Sequence, residues 1–141
     1  MPSPSKQDAS HRFVEHTGEV ELRLFAAEFG ELYAEAGRAL ARLMLEEAEE
    51  ASKSTVMLRV EAEDRQELLF EWLNELIYHS EVEKVVFVDF SILEISEGHL
   101  VAEATALRPL RLRTAVKAAT FHDLCVVHTG DGWSATVVLD V

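Results

Sequence analysis

Near the start of the chain, Glu15-His16-Thr17-Gly18-Glu19-Val20-Glu21 gathers three carboxylates and an imidazole around a turn. Carboxylate oxygens are hard donors, suited to calcium and magnesium rather than to soft metals. The last residues, Leu139-Asp140-Val141, end an apolar run on one more carboxylate. The chemistry this suggests is a cation held jointly by Glu19 and Asp140, with Glu21 and the α-carboxylate or carbonyl of Val141 in support. The rest of the chain is then a scaffold that brings residue 19 to residue 140. Against this stands the ordinary behaviour of acids near turns, which is to sit solvated at the surface.

Other reactive side chains form weaker patterns. His16, His79, His99, His122 and His128 lack the HExxH or paired spacing of a zinc site. His122 lies in Lys117-Ala118-Ala119-Thr120-Phe121-His122-Asp123, where strand alternation puts Thr120 and His122 on one side and Lys117, Ala119 and Phe121 on the other. That spacing favours a hydrogen-bonded structural histidine over a catalytic one, and a solvated lysine over an anion contact. Arg108, Arg111, Arg113 and Lys117 form a basic island that could touch RNA or a nucleotide, or offset nearby acids, and the second is the expectation. Cys125 falls between Leu124 and Val126 in a strand pattern and reads as a packed small apolar residue. No GxSxG, P-loop, GxGxxG or CxxC occurs.

Composition narrows the function classes. With 26 acidic against 13 basic residues the formal net charge is −13, which opposes direct non-specific binding to a phosphate backbone. Any role with RNA is therefore indirect. The 141 residues fit one domain large enough to build a core without staples. A single cysteine rules out an intrachain disulfide framework and suits a reducing compartment. The polar opening Met1-Pro2-Ser3-Pro4-Ser5-Lys6-Gln7-Asp8 is no signal peptide, and no apolar run reaches the roughly 20 residues of a membrane span. A soluble cytoplasmic protein is expected, with no membrane contact.

Two kinds of periodicity place the elements. Residues 1–10 read as a flexible Pro/Ser-rich tail, and 11–141 as a single domain. Arg12 to Glu15 starts a strand, and Val20, Leu22, Leu24 and Ala26 alternate with Glu21, Arg23 and Phe25 in another. From Phe29 the apolar spacing becomes three and four, predicting a helix without a good N-cap that frays in the acids Glu46, Glu47, Glu49 and Glu50. Val56, Leu58 and Val60 form a strand, and Asp64 with Glu67 opens a helix carrying Leu68, Leu69, Trp72, Leu73, Leu76 and Ile77. Val85 to Ile95 and Leu100 to Ala106 make a hairpin about Glu97-Gly98. Arg108 to Arg113 reads as a loop around Pro109, and Lys117 to Val127 as one strand. Thr129-Gly130-Asp131-Gly132 turns the chain into a final strand, Trp133 to Leu139. The fold class is α+β: a mostly antiparallel sheet of about six to seven strands with two helices packed on one face.

These stretches together resemble the archease family. The resemblance runs from Phe13 over most of the chain. It rests on Glu15-His16-Thr17, where the family has a His-Thr-Ala-Asp turn, on Leu68-Leu69-Phe70-Glu71-Trp72-Leu73-Asn74-Glu75-Leu76, on Val116-Lys117-Ala118-Ala119-Thr120-Phe121-His122, and on Leu139-Asp140-Val141. The resemblance implies a non-enzymatic activator of the GTP-dependent RNA ligase of tRNA splicing and RNA repair, promoting guanylylation of the ligase. It also implies a calcium-type site, magnesium being the alternative, whose ligands fall on Glu19, Asp140 and Val141. His16, Lys117, Thr120 and His122 become partner-facing or structural residues. Two departures bear on that site: Glu19 is one methylene longer than the family aspartate, and Glu21 replaces a small residue. Two other functions stay open at this stage. One is a chaperone or modulator of tRNA-modifying enzymes. The other is a metal-dependent phosphoesterase using Glu19 and Asp140, with His122 as general base.

Overall fold

The structure, a computed structural model, describes residues 9–141. In chain order the elements are β1 (Ser10–His16), β2 (Glu19–Ala26), α1 (Phe29–Met44), β3 (Leu45–Glu61), α2 (Arg65–Glu83), β4 (Val86–Ser96), β5 (His99–Leu112), β6 (Ala118–Ala119), β7 (Cys125–Thr129) and β8 (Gly132–Asp140). Most of the proposed N-terminal tail lies outside the described residues, but Ser10 already pairs with Phe25 in the β1–β2 ladder.

The α+β class with two helices and antiparallel strands holds. The strands divide between two sheets, which alternation along the chain could not reveal. One sheet runs β1-β2-β8-β6 with β7 also on β8, and the other runs β3-β5-β4. The helices lie against both: α1 touches β2 and β8 of the first sheet and β4 of the second, and α2 touches β6 and β7 as well as β3 and β4.

A helix pressed from two sides must be apolar nearly all round and slender enough for the sheets to approach. The composition of α1 does this: Ala34, Ala36, Gly37, Ala39 and Ala41 are buried along with Leu32, Tyr33, Leu40, Leu43 and Met44. α2 buries one face only, through Leu68, Leu69, Trp72, Leu73, Leu76 and Ile77. The helices are tied together where Trp72 Nε1 donates to the Tyr33 carbonyl at 2.8 Å and the Tyr33 hydroxyl donates to the Arg65 carbonyl at 2.6 Å. Burial pushes the Tyr33 phenol well above its ordinary range, so it remains a donor at any physiological pH.

The helix ends follow their sequence signals in part. Asp64 accepts from the Glu67 amide at 2.8 Å, an N-cap that stabilises α2 by roughly 1 kcal/mol. Glu28, at the start of α1, makes no side-chain cap. The expected fraying at Glu46–Glu50 does not occur. α1 stops at Met44 and the chain continues directly into β3, so the acids lie on a strand. Their partner is the stretch expected to be a loop. β5 extends to Leu112, and Arg108 and Arg111 each meet a carboxylate across the ladder, Glu49 and Glu46, at 3.3 Å. Pro109 is tolerated because β4 last pairs with β5 at Leu107, leaving the strand with one partner, and because the β3–β5 register slips nearby. Two members of the basic island, Arg108 and Arg111, therefore offset nearby acids, while Arg113 and Lys117 are in no ion pair among the described residues.

The stretch from Lys117 to Val127 is also not one strand. β6 is two residues long, a turn follows in which Asp123 takes a left-handed conformation (φ 54°), and β7 begins at Cys125. Thr120 and His122 thus share no strand face. Cys125 is exposed, not packed; its neighbour Val126 is the buried one.

Gly37 tests the sandwiching of α1. A Cβ there would lie 2.5 Å from the Phe90 ring, which is itself packed edge-on to Trp72 at 5.5 Å between centroids. Alanine improves helix propensity by roughly 0.8–1.0 kcal/mol, while overpacking a filled core costs about 1–3 kcal/mol. Because the ring is backed by Trp72, the steric effect should win. Gly37→Ala is expected to destabilise by about 1 kcal/mol, read from the urea midpoint at unchanged slope.

Candidate functional site

The two ends of the domain meet in the first sheet. β2 and β8 pair antiparallel from Ala26 opposite Trp133 to Glu19 opposite Asp140. Val20, Leu22, Leu24, Val137 and Leu139 face the helices and are buried. Period-two alternation then forces Glu19, Glu21, Arg23 and Asp140 onto the other face. His16 stands opposite Glu19 across the β1–β2 turn, and Ala118 stands opposite Asp140 on the other side. The result is a row across four strands: His16, Glu19, Asp140, Ala118.

Backbone bonds lock this end of the sheet. The β1–β2 connection is a tight Thr17-Gly18 turn in which Gly18 has φ 76°, a conformation glycine enters without penalty. The Val141 amide donates to the Gly18 carbonyl at 3.1 Å, and the Lys117 amide to the Asp140 carbonyl at 2.8 Å. The Val141 side chain packs against the core. Residues 18, 19, 117, 140 and 141 are thereby held in one small region.

Directly opposed residues on one sheet face have Cβ atoms about 4.5–5.5 Å apart, and like charges there repel. Glu19 and Asp140 are such a pair, and among the described residues neither is in an ion pair. Glu21 is differently placed: Arg23 holds its carboxylate with two contacts at 2.7 Å, so it is engaged within its own strand. The donors fit a hard cation in kind and fall short in number. Among the described residues no group of three or more His, Cys, Asp or Glu side chains is gathered to hold a metal. Calcium takes six to eight oxygens, so Glu19 and Asp140 would be a partial set, completed by backbone carbonyls, water or a partner.

The remaining sequence candidates lie around this end with structural contacts of their own. Thr120 clips the short strand to β8: its amide and hydroxyl both donate to the Val138 carbonyl, at 3.0 and 3.1 Å. Its hydroxyl also accepts from the His122 amide at 3.3 Å. The His122 ring is exposed and, among the described residues, pairs only with Asp123, at 3.3 Å. Phe121, 60% exposed, stacks on Phe70 of α2 with centroids 3.9 Å apart.

Two polar groups escaped the sequence reading. Asn74 reaches from α2 to Ala119, donating to its carbonyl at 3.2 Å and accepting from its amide at 2.9 Å. A side-chain amide thus substitutes for a neighbouring strand on β6, and the one signal for it was a lone amide beside Leu73 and Leu76. The other is Glu35, buried at 7% exposure, whose carboxylate meets His11 Nδ1 at 2.6 Å and Arg38 Nε at 3.1 Å. This joins β1 to α1. Strand alternation hides it, because nothing in the local pattern says which helix residue His11 will face.

Comparison with known proteins decides the family. The chain matches the archease protein family (MTH1598/TM1083) over residues 11–141. It belongs to the archease family. It is 26% identical to the archease of Methanosarcina barkeri across 97% of this chain and 99% of that one. It is 31% identical to that of Methanopyrus kandleri across 91% and 96%. Among solved structures it resembles a Methanobacterium thermoautotrophicum protein, MTH1598, with TM-score 0.68 at 23% identity, covering 93% of this chain and 98% of that one. It also resembles an archease of Thermotoga maritima, described as a possible chaperone, with TM-score 0.66 at 21% identity over 91% and 94%. These two likenesses establish the archease fold. No helix among the described residues is long and apolar enough to cross a membrane.

The Asn74 bridge yields a stability test. Asn74→Leu removes two hydrogen bonds and leaves the Ala119 amide and carbonyl without partners. The expected loss is about 2 kcal/mol, given roughly 1–3 kcal/mol for an orphaned buried polar group. Amide exchange at 117–120 should accelerate more than in the α2 core.

Proposed function

We propose that this archease is a non-enzymatic activator of a GTP-dependent RNA ligase, acting with a divalent cation held between Glu19 and Asp140. The observation that carries the reading is the direct register pairing of those two carboxylates, neither of which is in an ion pair among the described residues. Leaving like charges opposed is unfavourable by up to about 1 kcal/mol for the isolated protein. A calcium ion, or magnesium, would relieve it. Such an ion would supply a fixed positive charge at the end of the sheet. Glu19 and Asp140 would hold it, and the Val141 amide, hydrogen-bonded to the Gly18 carbonyl, ties the end of β8 to the turn. The longer Glu19 side chain is compatible with a shared site because its partner stands directly opposite on the next strand.

The assigned role of the protein is positioning: to present charge and a rigid edge where ligase, nucleotide and metal must align. With a net charge of −13, contact with RNA runs through the ligase rather than through this chain. His16 and Lys117 flank the carboxylate pair and would face the partner, while Thr120 supports the fold. The phosphoesterase alternative has less support, since His122 lies in the turn after β6 and not in the row that holds Glu19 and Asp140. A chaperone or modulator of tRNA-modifying enzymes stands as the second reading, favoured by exposed Phe121 and by the description of the Thermotoga relative.

Calorimetric titration with calcium, on a chain with nothing appended after Val141, should give saturable binding. Glu19→Ala and Asp140→Ala should each weaken it at least tenfold, about 1.4 kcal/mol. In chelator, Asp140→Asn should raise thermal stability slightly by removing the repulsion. Addition of the protein should then speed ligase guanylylation, and Asp140→Ala should abolish the gain. Reduced partner aggregation without faster guanylylation would favour the chaperone reading instead.

A further inference from the structure

A cleft of about 560 Å³ lies between the C-terminal end of α2, the start of β4 and the end of β5. That volume is within the roughly 300–1,000 Å³ of small-ligand sites. Its apolar floor includes Met44, Ile77 and Val116, which are buried, and Leu112, which remains 49% exposed. The cleft is separate from the carboxylate pair, though Lys117 belongs to its wall and hydrogen-bonds to Asp140 through its backbone.

Three charged residues line the cleft: Lys84, Lys117 and Glu81. Arg23, Arg38, Arg65, Arg108 and Arg111 are each paired with a carboxylate, whereas Arg12, Arg42, Lys53, Arg59 and Arg113 are in no ion pair among the described residues and do not line the cleft. Lys84 and Lys117 both line the cleft, and neither is in an ion pair among the described residues. They arrive on different segments, one from the end of α2 and one from the stretch before β6. Lys84 also occupies a left-handed conformation, φ 58° and ψ 47°, which favours glycine. A cation at a helix C-terminus is stabilised by the helix dipole, and α2 has no other basic residue in its last turn. That accounts for Lys84 alone. It does not explain why a second lysine meets the same apolar wall.

We propose that this cleft binds a small amphipathic monocarboxylic acid, its apolar body on the floor and its carboxylate between Lys84 and Lys117. Apolar lining supplies the affinity, and a few convergent charges set the orientation. Glu81, on the same cleft, disfavours a second negative charge on the ligand and so selects against dicarboxylates and phosphate dianions. The inference does not require the ligase reading, although the two share Lys117.

The test titrates the full chain with decanoate below its micelle-forming concentration, followed by backbone amide NMR. Saturable shifts confined to residues lining the cleft are expected, and decyltrimethylammonium, with the same tail and opposite charge, should bind at least tenfold more weakly. Lys84→Gly combined with Lys117→Gln should weaken decanoate at least tenfold, and glycine suits the left-handed position, so the fold should persist. Leu112→Asp, at a half-exposed site, should weaken it as well. Absence of saturation, equal binding of the ammonium compound, or unchanged affinity in the double lysine variant would overturn the proposal.

Discussion

The antiparallel pairing of β2 with β8 brings together segments from opposite ends of the domain, and most of the fold exists to permit it. Closing a loop of this length is entropically unfavourable, though the cost grows only slowly with length. The return comes from the buried face of the ladder, where Leu22, Val137 and Leu139 are fully excluded from water. Buried at roughly 25 cal/mol per Å² of apolar surface, such residues also set the register. A slip by one residue would turn Leu139 outward and Asp140 into the core. The carboxylate pair is therefore a by-product of hydrophobic register: once Val20 and Leu139 face in, Glu19 and Asp140 must face out together.

The same logic places the helices. Two twisted sheets with apolar inner faces need a layer between them, and α1 is narrow enough to serve. Its alanines and Gly37 let Phe90 of the second sheet approach closely, while Trp72 and Tyr33 tie α1 to α2 by two hydrogen bonds. The second sheet is organised more loosely at its far end. There β3 and β5 slip register and are joined by exposed Arg–Glu pairs, each contributing little on its own. That end borders the apolar cleft, where backbone packing leaves Leu112 partly uncovered.

Between these two regions runs the segment 113–120, which has little regular structure. It is held by borrowed bonds: Arg113 to Met44, Lys117 to Asp140, Ala119 to Asn74, and Thr120 to Val138. These contacts come from three elements, so this segment registers the relative positions of α1, α2 and β8. Lys117 consequently has its backbone fixed at the carboxylate pair and its residue lining the cleft. A partner meeting Asp140 and a ligand in the cleft would both sense the same lysine.

Much of this was legible in the residues. Alternation at Val20–Ala26 marked the buried and polar faces of β2, Asp64 marked the cap of α2, and the acid-rich turn with Asp140 pointed to a meeting of the chain ends. These are local signals or consequences of a single buried face, and period and capping chemistry suffice to read them. Other features depended on neighbours. Pro109 looks like a loop until β4 is seen to end at Leu107, leaving the proline an unpaired side on which its missing N–H costs nothing. The acids after Met44 look like a frayed helix until Arg108 and Arg111 are placed opposite them. Residues 117–127 look like one strand until Asp123 reverses the backbone and Cys125 falls on an exposed edge. In β2 and α2 the sequence by itself determined which face seeks the core. Which elements became neighbours, and so which charges were opposed, paired or left facing a cleft, was decided only by tertiary structure, because those choices rest on contacts between residues far apart in the chain.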